Sequence, residues 1–297
     1  MLHIAVLTAN PDNPVVNGDL LDRVRAALPG AHDPKSLADG VAAEIAFEAD
    51  AGSLPGLLDD VGSVLGNSPV DLNILPPAHR RKALLVADMD STMIGQECVD
   101  ELADLVGLKA QVSLITERAM QGEIAFEPAL RERVALLKGL ATNQIDRLLE
   151  ERITLMSGAE TLVKTMRANG AHTALVSGGF TLFTGPVAAR LGFHEDRSNR
   201  LDLDGEFLRG TIAEPILGRE AKREALVELR DALGLNREQT LAVGDGANDL
   251  AMIAEAGLGV AFRAKPAVAA AAGARVTHGD LTALLYLQGY HRDEFAA

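Results

Sequence analysis

The alternation of apolar and polar positions divides the chain into three zones. Residues 1–75 predict a strand over His3–Leu7, a helix over Gly18–Leu28, a polar turn, a strand over Ala42–Phe47 and a helix over Leu54–Leu65, which together make a small α+β domain. Asn73–Arg81, with adjacent Pro76 and Pro77 and a basic end, predicts a linker. From Lys82 onward the apolar runs become short and continuous. Ala83–Ala87, Thr173–Val176 and Thr240–Val243 have the composition of parallel strands covered on both faces. Helices over Ala159–Asn169 and Lys222–Leu233, closed by Gly170 and Gly234, fit between them. This alternation predicts a doubly wound, Rossmann-like parallel α/β sheet. Between the first two of these strands, Val99–Glu151 is helical in pattern and too long for a simple crossover, which predicts an inserted helical cap. A smaller insertion, Asn199–Gly210, carries Asp204-Gly205 between apolar residues, the mark of a hairpin. The Ala-rich stretch 267–274 predicts a helix. The expected division is a small domain at 1–75, which a regulatory role would suit, and a larger one at 76–297 with its helical cap at about 99–151.

Composition narrows the function. With 28 Lys and Arg against 42 Asp and Glu, the net charge is −14, which repels nucleic acid and anionic membranes. A phosphate-handling site in such a chain must be a local focus of positive charge. No apolar run approaches the roughly 20 residues that span a bilayer. The N-terminus has no basic leader ahead of its short apolar run, so the expected compartment is the cytoplasm. The single cysteine, Cys98, forms no intramolecular disulfide and reads as a small apolar residue at a helix start. Aromatic residues make up 3% of the chain and Trp is absent, which disfavours a base-stacking surface. The seven His residues are scattered and receive no chemistry. A small-molecule substrate is the expected partner, and the reading admits a homodimer.

The chemistry-bearing residues gather at the carboxyl ends of the predicted strands, where open α/β sheets place their ligands. Asp88-Met89-Asp90-Ser91-Thr92 follows the first strand. Two carboxylates one residue apart in extended backbone project to the same side, and such like charges call for a cation or a shared proton. Gly244-Asp245-Gly246-Ala247-Asn248-Asp249 ends the third strand, adding carboxylates and glycines that allow close backbone approach. Oxygen donors without His or Cys suit Mg²⁺. The middle strand ends in Ser177-Gly178-Gly179-Phe180 ahead of a helix, a hydroxyl with glycine amides suited to phosphate oxygens. On spacing alone, Lys222 is either a solvated helix lysine or a fixed positive charge beside the phosphate.

Taken in order, these four stretches resemble the phosphoserine phosphatase family of the haloacid dehalogenase superfamily. The resemblance covers about residues 82–290 and leaves the first zone unused. It implies that Asp88 is a nucleophile forming an aspartyl-phosphate, that Asp90 is the general acid and base, and that Lys222 offsets the charge on the phosphoryl group. The second aspartate favours phosphatase over dehalogenase chemistry, because a halide leaving group needs no proton. The resemblance further implies Mg²⁺ held by Asp88, the backbone carbonyl of Asp90 and Asp245, with Asp249 bound through water or standing behind the ligands. Ser177, Gly178, Lys222 and Asn248 would hold the phosphate. Glu97 would meet a substrate ammonium group, Phe126 would form an apolar wall, and Arg133 would pair with a substrate carboxylate. Without the resemblance, Glu97 and Arg133 read as ordinary helix charges, Arg131 competes with Arg133, and Met120 and Phe126 read equally as core or pocket. The implied reaction is hydrolysis of O-phosphoserine, the last step of serine synthesis. A related phosphatase or phosphotransferase, or amino-acid sensing by residues 1–75, are the alternatives. An ion-pumping ATPase is excluded by the missing membrane spans.

Overall fold

The computed structural model describes residues 1–120, 123–218 and 220–296, with the side chains of Ala119 and Met120 outside the described set. The chain begins with β1 (Leu2–Ala9), α1 (Gly18–Ala27), β2 (Lys35–Ala38), β3 (Ala42–Glu48), α2 (Leu54–Leu65) and β4 (Val70–Leu75). These strands form an antiparallel sheet in the order β2-β3-β1-β4. Its period-2 pattern sorts the side chains. Ala5 and Leu7 pack with Leu20, Val24, Val61 and Leu65 of α1 and α2, whereas Ile4 and Val6 face the core of the larger sheet.

The expected linker is therefore shorter than its sequence implied. Asn73 and Leu75 belong to β4, which pairs along its whole length with Ile4–Ala9 of β1. The rest is pinned. Arg80 pairs with Glu44 at 2.6 Å and donates to the carbonyls of Tyr286 and Leu287 at 3.1 Å. This segment reads as a loose tether because the partners of Arg80, Glu44 on β3 and the carbonyls of Tyr286 and Leu287, are all distant along the chain.

The larger sheet is wholly parallel. In chain order its elements are β5 (Leu84–Ala87), the helices α3 (Cys98–Leu105), α4 (Lys109–Met120), α5 (Phe126–Ala135) and α6 (Thr142–Glu151), then α7 (Ala159–Ala168), β6 (His172–Phe180), α8 (Thr181–Leu191) and β7 (Glu195–Asn199). A hairpin of β8 (Leu201–Asp204) and β9 (Phe207–Ile212) follows. The chain then runs through α9 (Ala221–Ala232), β10 (Thr240–Gly244), α10 (Leu250–Glu255), β11 (Leu258–Phe262), α11 (Pro266–Ala271), β12 (Ala274–Val276) and α12 (Ala283–Leu287). The strand order β12-β11-β10-β5-β6-β7 places the first strand at the centre. Chain direction across the sheet reverses between β5 and β10, which opens a crevice at their carboxyl ends. Both faces of β5 are covered, Leu85 and Ala87 on one side and Leu84 and Val86 on the other, against Ala225, Leu226 and Leu229 of α9.

Three further strands escaped the sequence pattern. The edge strand β7, Glu-Asp-Arg-Ser-Asn, has no apolar signal. β11 is a short apolar run, and β12 takes the end of the Ala-rich stretch, whose helix stops at Ala271. The Asp204↔Phe207 pair closes the hairpin around Gly205, which has φ +60°. The hairpin rests on the inserted helices: Gly139 N–H donates to Leu208 O at 2.8 Å, and Leu208 N–H donates to Leu140 O at 2.9 Å. The two insertions thus form one continuous body. Among the described residues no helix is long and apolar enough to cross a membrane.

Candidate active site

Asp88 is the first residue beyond β5, and its N–H still donates to Val243 O at 3.0 Å, which prolongs the ladder toward β10. Its Oδ1 accepts from Met89 N–H at 2.8 Å and from Lys222 Nζ at 2.6 Å. Lys222 also donates to Asp249 Oδ1 at 2.6 Å, and Asp249 Oδ2 accepts from Gly246 N–H at 2.9 Å. All three charged side chains are buried. Lys222 is therefore a fixed internal cation and not the solvated helix lysine that its spacing also allowed. Burial works to discharge it, but the carboxylates of Asp88 and Asp249 outweigh burial and hold its pKa above the ordinary lysine value.

Oxygens of Asp88, Asp245 and Asp249 all lie within 4.8 Å of one another. Thr92 Oγ1 donates to Asp245 Oδ1 at 3.2 Å. Burial, then Asp249, push the Asp88 carboxyl well above its usual range against the pull of Lys222. Burial, then Asp249 and Glu97, raise Asp245 to about 6. Three carboxylates against one ammonium leave two negative charges, and an all-oxygen donor set fits a hard divalent cation. The glycines make this crowding feasible. A Cβ at Gly244 would run into the Asp249 carboxylate, and one at Gly246 would run into Asn248 Oδ1.

Opposite this cluster, Ser177, Gly178 and Gly179 lie at the end of β6, where Ser177 Oγ accepts from Gly179 N–H at 2.9 Å. A Cβ at Gly179 would stand 3.1 Å from Ser177 Oγ and 3.7 Å from Asp90 Oδ2, so glycine keeps the gap between hydroxyl and carboxylate open. Asp90 Oδ1 is buried without a hydrogen-bond partner among the described residues. Burial first, and the charge of Glu97 second, push the Asp90 carboxyl up to about 7, with Cys98 pulling the other way. Cys98 is the buried first residue of α3, and burial followed by Asp90 raises its thiol pKa, so it stays protonated.

The inserted helices roof the crevice. Phe126, at the start of α5 and 37% exposed, places Cζ 3.7 Å from where a Cβ on Gly178 would be. Arg133 lies seven residues further along α5, on the same helix face. It donates to Ala129 O at 3.3 Å and Thr116 Oγ1 at 3.4 Å. Burial lowers its pKa, offset by Asp100 and Glu97. Arg131 instead faces out and pairs with Glu214. Glu97 accepts from Ser91 Oγ at 2.6 Å, and Ser91 adopts a left-handed φ of +55°. Asn248 is exposed at the rim. Met120, the other expected wall residue, lies outside the described side chains. The sequence reading gave no role to Ser91, Thr92 or Asn199. The first two stand inside a recognised motif, but their hydroxyl partners are other site residues; Asn199 had no local signal.

A haloacid dehalogenase-like hydrolase model matches residues 82–257, and the chain belongs to this family. Within it the chain is a phosphatase by similarity. A probable phosphoserine phosphatase of Schizosaccharomyces pombe is 41% identical over 247 residues, 80% of this chain and 83% of that one. Among solved structures, an unliganded probable phosphoserine phosphatase from Vibrio cholerae superposes with a TM-score of 0.80 at 29% identity, over 97% of this chain and 86% of that one. A phospho-aspartyl intermediate analogue of phosphoserine phosphatase superposes with a TM-score of 0.64 at 38% identity, over 69% of this chain and 98% of that one. Phosphatases of this family depend on a metal ion, and the Asp88, Asp245 and Asp249 cluster is able to take one.

Proposed function

We propose that this chain hydrolyses O-phosphoserine to serine and phosphate through a phosphorylated Asp88, with Mg²⁺ as its metal ion. The observation that carries the reading is the buried Asp90 Oδ1, without a hydrogen-bond partner among the described residues, on a carboxylate that neighbours Ser177 two positions along from the Asp88–Lys222 pair, under a roof that supplies Phe126 and Arg133. Residues 1–75 would form a separate small domain docked on the phosphatase domain.

Asp88 has one orientation, because Met89 N–H and Lys222 both hold Oδ1. Its carboxylate attacks phosphorus in line, forming the Asp88 O–P bond as the bond from phosphorus to the serine oxygen breaks. Asp90, with a pKa near neutrality, gives its proton to the departing serine alkoxide. It then takes a proton from the water that attacks the phosphorylated Asp88, so free Asp88, phosphate and protonated Asp90 return. Ser177 Oγ, the Gly178 and Gly179 backbone, Lys222 and Asn248 hold the phosphoryl oxygens. Asp88, the Asp90 carbonyl and Asp245 would hold Mg²⁺, with Asp249 bound through water or standing behind them, and the bound ion would supply positive charge to offset that of the phosphoryl group. Arg133 pairs with the substrate carboxylate and Glu97 with its ammonium, a clamp that needs both charges. The lack of a carboxylate partner for Arg133 among the described residues supports this role.

Phosphate release from a panel of phosphomonoesters, with and without Mg²⁺, tests the reading. Phosphoserine should lead the panel and chelator should abolish its turnover. A preference for substrates that lack an ammonium or a carboxylate would remove the phosphoserine assignment and leave a small-metabolite phosphatase.

A further inference from the structure

The loop that faces the phosphate is a bulge in β6. From Val176 to Phe180 the strand advances four residues while its partners on β7, Arg197 to Asn199, advance two. The extra length ejects Ser177, Gly178 and Gly179 from the ladder and aims them into the crevice. A bulge leaves polar backbone groups unpaired, and such groups need a partner when buried.

Asn199, the last residue of β7 and 1% exposed, is that partner. Its Nδ2 donates to Gly178 O at 2.9 Å. The same amide grips the approach to α9: Leu217 N–H donates to Asn199 Oδ1 at 2.7 Å, and Nδ2 also reaches Leu217 O at 3.4 Å. The Gly178–Gly179 peptide is not a cis bond, and the carbonyl and N–H of a trans peptide point in opposite directions. Fixing its carbonyl toward Asn199 therefore turns the Gly179 N–H the opposite way, where it meets Ser177 Oγ. One neutral side chain thus sets both the phosphate-facing bulge and the segment that leads into the helix bearing Lys222.

We propose that Asn199 is a positioning residue for phosphoryl binding, holding Ser177–Gly179 and the Lys222 helix in register without touching substrate. This rests on the phosphatase reading above. The role concerns the phosphoryl group alone, so its loss should fall equally on every phosphomonoester. The Arg133 and Glu97 clamp should be unaffected.

The test uses the full chain with Asn199→Ala and Asn199→Asp, the latter nearly isosteric and able to accept from Leu217 N–H but unable to donate to Gly178 O. Both should lower kcat/KM at least about ten-fold, by the same factor for phosphoserine and p-nitrophenyl phosphate. The inhibition constant of inorganic phosphate should rise in parallel. A folded variant whose phosphate inhibition stays within about two-fold of wild type, or whose loss is confined to phosphoserine, overturns the proposal. Failure of both variants to fold also overturns it, because Asn199 would then hold the fold rather than the site. Wild-type inactivity on both esters strikes the phosphatase reading itself and takes this inference with it. Wild-type turnover with unaltered phosphate inhibition in the variants strikes this inference alone.

Discussion

Lys222 Nζ lies 2.6 Å from Asp88 Oδ1, both side chains nearly sealed from solvent, and the same ammonium serves Asp249 at equal distance. A lysine shared in this way is needed by the fold as well as by the reaction. Lys222→Met would strand two buried carboxylates, and breaking a buried pair by removing one partner costs about 3–5 kcal/mol. The loss should be largest in metal-free protein at neutral pH. Without the lysine, the folded-state carboxyl pKa values rise further above their unfolded values. The penalty is then present above the folded pKa and fades as pH falls through it. Urea titration with and without Mg²⁺ measures this; an unchanged midpoint at neutral pH in metal-free protein would show that the pair contributes nothing.

Metal binding should depend on pH with a definite sign. Asp245 is raised to about 6 and Asp88 well above its usual range, so metal-free protein carries protons on the cluster in mild acid. Binding must release them. Apparent Mg²⁺ affinity should therefore rise with pH through about 6, by about ten-fold per pH unit for each proton released, and level off once the carboxyls are ionised. Calorimetric titration at pH values on either side of 6 provides the measurement. A pH-independent affinity would contradict the cluster as the metal site.

Arg133 and Arg131 are two residues apart on α5 and should behave differently. Arg133→Ala should lower kcat/KM for phosphoserine at least about ten-fold and leave p-nitrophenyl phosphate nearly unchanged, because only the first substrate offers a carboxylate. Arg131→Ala removes an exposed pair with Glu214 and should be close to silent. Equal loss on both substrates at Arg133 would make it a support of the roof rather than a recognition group.

The two sheets are joined by a carboxylate far from the chemistry. Asp71 on β4 accepts from the backbone N–H groups of Thr277, His278 and Gly279 at 2.8–3.0 Å, beside Asn73, whose amide pairs with both backbone groups of Arg275. Asp71→Ala should cost at least about 2 kcal/mol in urea unfolding, since it removes the acceptor of three backbone donors at once, the buried Gly279 N–H among them. Activity of the folded fraction should remain at the wild-type level. A parallel loss of kcat in fully folded protein would mean that this joint communicates with the crevice.

Legibility of the fold followed the reach of each signal. Helices α2, α7 and α9 and strands β5, β6 and β10 were readable because the periods of 3.6 and 2 are local properties, and a buried parallel strand must be apolar along its length. Strands β4 and β7 were not. β4 was hidden by the proline-rich segment that follows it, and β7 is polar because an edge strand draws its support from neighbours rather than from its own composition.

The acidic motifs, their order and their positions at strand ends were determined by the sequence itself, because chemistry with carboxylates, a hydroxyl and glycines restricts residue type at each place. Tertiary structure alone decided which charges share one site. Lys222 reads equally as a surface lysine until α9 is packed against β5 and its ammonium is buried between Asp88 and Asp249. Arg131 and Arg133 are indistinguishable by composition until α5 turns one outward to Glu214 and the other inward. Asn199 acquires its partners only when the β6 bulge exposes a carbonyl beside it. The physical reason is the same in each case: a residue's type limits the bonds it is able to make, whereas burial and the identity of its partners come from chain segments distant in sequence.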